Sequence, residues 1–206
     1  QGSAAVAVGN AAGIQSQGAR SVAVGNSAGR FSQNDDCVAV GSSAGRTEQG
    51  QYAVAVGFEA GIQSQGDSSV ALGDSAGKTS QGIFAVAMGF SAGSQAQGTE
   101  AVAVGNRAGN TNQSAEAVAI GHNAAMVEQG GGSVAVGRFG GQTNQGANSV
   151  AIGSSAGADT QGFQSVAIGT NAGQTSQRQF AVAIGNMAGR GSQQSGSIAI
   201  GNLAGN

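Results

Sequence analysis

The chain has 206 residues, 39 of them Gly, with no Pro, no Trp and only 39% hydrophobic residues, too little apolar bulk for a thick globular core. Charged residues make up 9% and the formal net charge is −2, so there is no basic footprint for nucleic acid or for a membrane surface. No stretch approaches eighteen consecutive apolar residues, and membrane insertion by this segment is not expected.

A pattern of small residue, Val, Ala, Val or Ile, and Gly recurs every sixteen residues from Ala5 to Gly201, thirteen times without insertion or deletion. A fixed period of this length marks a solenoid whose coils stack on one another, and strict periodicity argues against the disorder that so much Gly would otherwise imply. We number each repeat from the small residue, so that Ala5 is position 1. Position 1 holds Ala, Ser or Cys, and position 3 is always Ala. Position 2 is Val except for Ile198, and position 4 is Val, Ile, Leu or Met. This alternation has a period of two and predicts a short β-strand with two unlike faces.

Gly at position 5, Ala at position 8 (except Gly140) and Gly at position 9 (except Ala125) predict a turn. A second strand is predicted over positions 10 to 13, where segments such as Gln63-Ser64-Gln65 and Thr79-Ser80-Gln81 recur. The frequent Gly at position 14 predicts the turn that closes the coil. Thirteen coils stacked at about 4.8 Å would give a rod roughly 60 Å long. Gln1 falls at position 13 and Asn206 at position 10. Both ends thus lie inside the array, and residues 1–206 are expected to be one repeat domain excised from a longer one.

Position 13 is Gln in every copy: after Gln1 come Gln17, Gln33, Gln49, Gln65, Gln81, Gln97, Gln113, Gln129, Gln145, Gln161, Gln177 and Gln193. Identical amides in register can donate and accept along the stacking direction, so this column is predicted to be a structural ladder. For the first strand the expectation is that Val and Ile at positions 2 and 4 fill the interior, together with Ala of position 8 and Gln of position 13. Positions 1, 3 and 5 would then form a flat outward strip. The reverse assignment, small residues inside and Val/Ile at a subunit interface, is the alternative. On the first assignment the candidate interface is Ala23, Ala55, Ala71, Ala87, Ala103, Ala119, Ala135, Ala151, Ala167 and Ala183. Aromatic residues flank the first strand at both ends in two coils, Tyr52 with Phe58 and Phe84 with Phe90, and join that candidate set.

Catalytic chemistry has little to use. His122 is the single His and stands in a variable column, and no Cys or carboxylate recurs at a ligand spacing. Asp35-Asp36-Cys37 is unrepeated and reads as a turn beside a small buried Cys. Neither a phosphate-binding G-x-x-x-x-G-K-[ST] nor a periodic Asp for Ca²⁺ is present. No cofactor, metal site or enzyme activity is expected.

The segments Ser21 to Gly25 (SVAVG), Ser149 to Gly153 (SVAIG) and Ala181 to Gly185 (AVAIG) resemble the head repeat of the trimeric autotransporter adhesins, the YadA-like head. Similar A-I-G-x-x-A-G repeats occur in viral and phage fibre proteins. The resemblance implies an all-β, left-handed parallel β-roll, a homotrimer, and display on a cell surface or virion fibre where it contacts host matrix or cells. This chain departs from the family's usual spacing of near fourteen residues by keeping sixteen. A second class of function is an ice-binding solenoid. Thr47, Thr79, Thr111, Thr143 and Thr175 recur at position 11, interrupted by Gln63, Gln95 and Asp159.

Overall fold

A computed structural model describes residues 1–205. They form an all-β parallel solenoid with sixteen residues per turn and two strands in most coils, organised as two compact units, Gln1–Ala101 and Val102–Asn206. In the first unit the first strand of each coil, from Val6–Val8 to Val86–Met88, pairs in parallel with its equivalent one coil on. In the second unit the same ladder runs from Val102–Val104 to Ile198–Ile200. Register is set by the repeat: Val22 lies beside Val38, Ala23 beside Ala39 and Val24 beside Val40. Because the chain period equals the coil circumference, every residue meets its own column. Hydrogen bonds between coils repeat likewise, with the Val22 amide donating to the Cys37 carbonyl and the Gly25 amide to the Val8 carbonyl, both at 2.8 Å.

The second strand is one residue shorter than predicted, covering positions 11 to 13, as in Phe31–Gln33 and Thr79–Gln81. Its middle residue takes a left-handed backbone, with φ of 52° at Ser32, 55° at Glu48 and 54° at Asn112. Only the flanking residues therefore pair, Thr79 with Gln95 and Gln81 with Gln97. A β-branched residue resists that conformation. Thr160, which occupies the middle position in one coil of the second unit, stays out of the left-handed region, and there the strand shrinks to a single bridge at Gln161. Thr160→Asn is expected to restore the strand and add about 1 kcal/mol, read as a higher urea midpoint, whereas Thr160→Val should give no gain.

The face assignment expected for the first strand is reversed in the structure. Ala of position 3 is fully buried, as at Ala23, Ala55, Ala71, Ala87, Ala103, Ala119, Ala135, Ala151, Ala167 and Ala183. Position 1 and the Ala of position 8 are buried with it, from Ser21, Cys37 and Ala53 to Ala28 and Ala44. Val and Ile of positions 2 and 4 point outward. The reason is the width of the coil. A Cβ placed on the Gly of position 9 would lie only 3.2 Å from the Ala23 methyl at Gly29, and 3.4 Å from that of Ala151 at Gly157. The two walls are thus one methyl group apart, and a Val side chain has no room between them.

Two glycine columns fit this closeness, position 5 without exception and position 9 with Ala125 alone departing from Gly. At position 5 the backbone has φ near 130°, a region closed to L side chains, and a Cβ on Gly25 would sit 2.5 Å from the Gly41 carbonyl oxygen. At position 9, φ is near 50° and a Cβ on Gly45 would lie 2.6 Å from Oε1 of Gln49.

Candidate interaction face

Inside the coil the Gln column spans the gap between the walls. Each side-chain Nε2 from Gln17 to Gln193 donates to the carbonyl of position 2 in its own coil, at 2.7–3.2 Å. Most also reach the carbonyl of position 1 in the next coil, such as Gln49 to Ala53 at 3.0 Å. Amide-to-amide bonds along the stack join Gln33 to Gln49, Gln81 to Gln97, Gln113 to Gln129, Gln129 to Gln145 and Gln145 to Gln161, at 3.0–3.2 Å. The column is buried from Gln17 to Gln193, including Gln65, Gln161 and Gln177. The sequence pointed to the axial ladder; the brace from one wall to the other backbone was not legible in it.

Buried hydroxyls in the position 1 column are hydrogen-bonded. Ser69, Ser133, Ser149 and Ser165 donate to the position 14 carbonyl three residues earlier, at 2.5–2.7 Å. Cys37 is a free, buried thiol whose Sγ donates to the Gly50 carbonyl at 2.8 Å. Burial pushes its pKa up to about 11, so it is neutral and inert at pH 7.

The outward face of the first strand is apolar. Two columns of Val, Ile, Leu and Met stand side by side, with Leu72 and Met88 exposed in the first unit and Ile120, Ile152, Ile168 and Ile184 in the second. Ile120 is 41% and Ile152 39% accessible. The charged residues stand off this strip, in turns and on the second sheet. A contiguous apolar surface of this kind, flat because the strand repeats in register, is what a soluble chain covers with a partner.

Tyr52, Phe58, Phe84 and Phe90 stand exposed at the two ends of the strip's strands Val54–Val56 and Val86–Met88. His122 packs edge-on against Phe139 at 5.5 Å and approaches no set of ligands. Among the described residues there is no group of three or more His, Cys, Asp or Glu that could hold a metal ion, and no helix long and apolar enough to cross a membrane.

No curated protein matches the chain. The sequence model of the YadA head domain repeat matches it twice, over residues 80–108 and 145–172. Each matched segment contains two strands of the apolar strip, Val86–Met88 with Val102–Val104 in one and Val150–Ile152 with Val166–Ile168 in the other. These two segments are thus similar to the YadA head domain repeat, the family that the chain's SVAIG-type motifs resemble.

Proposed function

We propose that the chain is a non-enzymatic structural and adhesive fibre segment, part of a surface-displayed homotrimeric head that contacts host surfaces. One observation carries the reading: the Val/Ile strip lies outside the coil, exposed in the single chain, while the interior is already filled by Ala and Gln. Three copies with their strips turned inward would cover that surface. Self-association of identical flat faces in a closed ring needs only rotation about an axis along the stack. The variable positions 6, 7, 10 and 14 to 16 would remain for host contacts at the outer surface and at the seams between copies.

The ice-binding reading has less support. Thr hydroxyls of position 11 bond to the protein itself: Thr79 donates to the Ser94 carbonyl at 3.2 Å, Thr143 to Asp159 at 2.7 Å and Thr175 to Arg190 at 3.0 Å.

Sedimentation should return three times the 19.6 kDa chain mass. Ile120→Lys combined with Ile152→Lys places charge on the strip without entering the coil. This variant should sediment as a monomer and keep the far-ultraviolet spectrum of the parent. A monomeric parent, with or without thermal hysteresis, would overturn the reading.

A further inference from the structure

Position 16 and position 6 bracket each strip strand, one at its leading end and one at its trailing end. The chain carries eight aromatic residues, seven Phe and one Tyr. Four of them have partners within the chain. Phe31 lies under the Arg30 guanidinium at 4.7 Å, Phe139 meets Arg138 at 4.5 Å and His122 at 5.5 Å, and Phe163 meets Phe180 edge-on at 6.0 Å. Among the described residues the other four, Tyr52, Phe58, Phe84 and Phe90, meet neither a ring nor a cation. They are 56%, 52%, 59% and 46% accessible.

These four are the ones that occur as pairs on single strands, Tyr52 and Phe58 around Val54–Val56, Phe84 and Phe90 around Val86–Met88. Within one chain the members of a pair cannot meet, because six residue steps separate them by up to about 20 Å. The coil between the two pairs carries Ser68 and Asp74 at the same positions, leaving a gap of about 10 Å along the stack between successive rings.

We infer that Tyr52 with Phe58 and Phe84 with Phe90 are clasps between copies of this chain, each leading-end ring packing on the trailing-end ring of the neighbouring copy at the same coil level. The inference rests on the strip being a self-association face. Rotation about an axis along the stack brings the leading edge of one copy to the trailing edge of the next at equal height. A two-fold axis across the stack would instead bring leading edge to leading edge. Both clasps therefore form at once, each leading-end ring on a trailing-end ring, in the parallel, in-register arrangement. The Ser68/Asp74 coil penalises a slip of one repeat, since a ring would then face Asp74 or Ser68 instead of another ring. In the second unit Glu116 shares its strand with His122, whereas Phe180 shares its strand with Asn186 and packs instead on Phe163 of its own chain.

The test uses the whole chain in a Cys37→Ser background, which keeps a residue already common in that column. Tyr52→Cys with Phe58→Cys is oxidised at native pH and compared with Tyr52→Cys with Phe90→Cys, whose cysteines lie two coils apart. The in-register pair should close into a covalent trimer on a non-reducing gel, and the offset pair should stay as single chains. Phe84→Cys with Phe90→Cys repeats the measurement at the second clasp. Small residues fold at these positions, as Ser68 and Asp74 show. A threefold mass in sedimentation with no in-register crosslink, or with equal crosslinking of the offset pair, overturns the clasp and leaves the trimer standing. A monomeric parent overturns both. A covalent dimer with twofold mass keeps the clasp and overturns the threefold stoichiometry.

Discussion

Ala103→Glu is expected to abolish the folded solenoid of the second unit, while Arg107→Glu, four residues along, leaves it unchanged. Ala103 is fully buried and in register with Ala119. In neighbouring coils of this column the opposite wall stands one methyl group away: a Cβ added to Gly77 or Gly93 would lie 3.2 Å from the methyl of Ala71 or Ala87. A carboxylate there has neither volume nor a counter-charge, and a buried unpaired charge combined with overpacking costs more than about 4 kcal/mol. Arg107 is exposed at a turn position that already accepts Ser, Asn and Phe in other coils. Its replacement should fall within about 0.5 kcal/mol of the parent. Circular dichroism melts check both. Equal behaviour of the two variants would mean that position 3 is not interior.

The second large effect is expected at the Gln column. Gln129 donates to the Val118 carbonyl at 2.9 Å, to the Ser133 carbonyl at 3.3 Å and to Gln145 at 3.2 Å, and accepts from Gln113 at 3.1 Å. Gln129→Leu keeps the approximate volume and removes all four bonds. It strands the Gln145 oxygen in the interior and takes one of its three acceptors from the Gln113 amide, so the loss should be about 3 kcal/mol. Gln129→Glu should be worse, because the carboxylate has no hydrogen to give the two backbone carbonyls and brings a buried charge. Glu128→Gln, at the exposed neighbour, is the control and should change stability by less than about 0.5 kcal/mol. Urea unfolding of the three variants separates the outcomes, and a Gln129→Leu protein as stable as the parent would remove the column from the structural framework.

These two variants probe different layers from Ile120→Lys with Ile152→Lys. The first two act on the interior of the coil, so they lower the stability of the fold itself. The strip variants act on a face that the single chain leaves uncovered, so the fold survives and only the assembly is lost. A reading in which Val and Ile fill the interior predicts the opposite order of damage.

Much of this was legible from residues alone. The invariant Ala7-type and Gly9-type columns announced short in-register strands, and the Gln run from Gln17 to Gln193 announced a buried polar ladder, because a residue repeated at every coil must meet itself. The length of the second strand was less legible. Its left-handed centre is occupied by Ser32, Glu48, Ala96 and Asn112 alike, residues that share no propensity strong enough to flag it. Thr160, a β-branched residue at the same place, stays out of the left-handed region, as does Ser192, so residue type alone does not decide the conformation there.

The sixteen-residue period by itself determined a parallel stack in fixed register, with Val/Ile on one side of the first strand and Ala/Ser on the other. Alternation with a period of two separates the faces but carries no sign, so it left open which side was the interior. Only the tertiary structure decided that. Left-handed residues at positions 7, 12 and 16 fold each coil so tightly that its walls lie a methyl group apart. At that width Ala and a spanning Gln fit, Val and Ile do not, and the larger apolar side chains are turned outward to where a second copy can cover them.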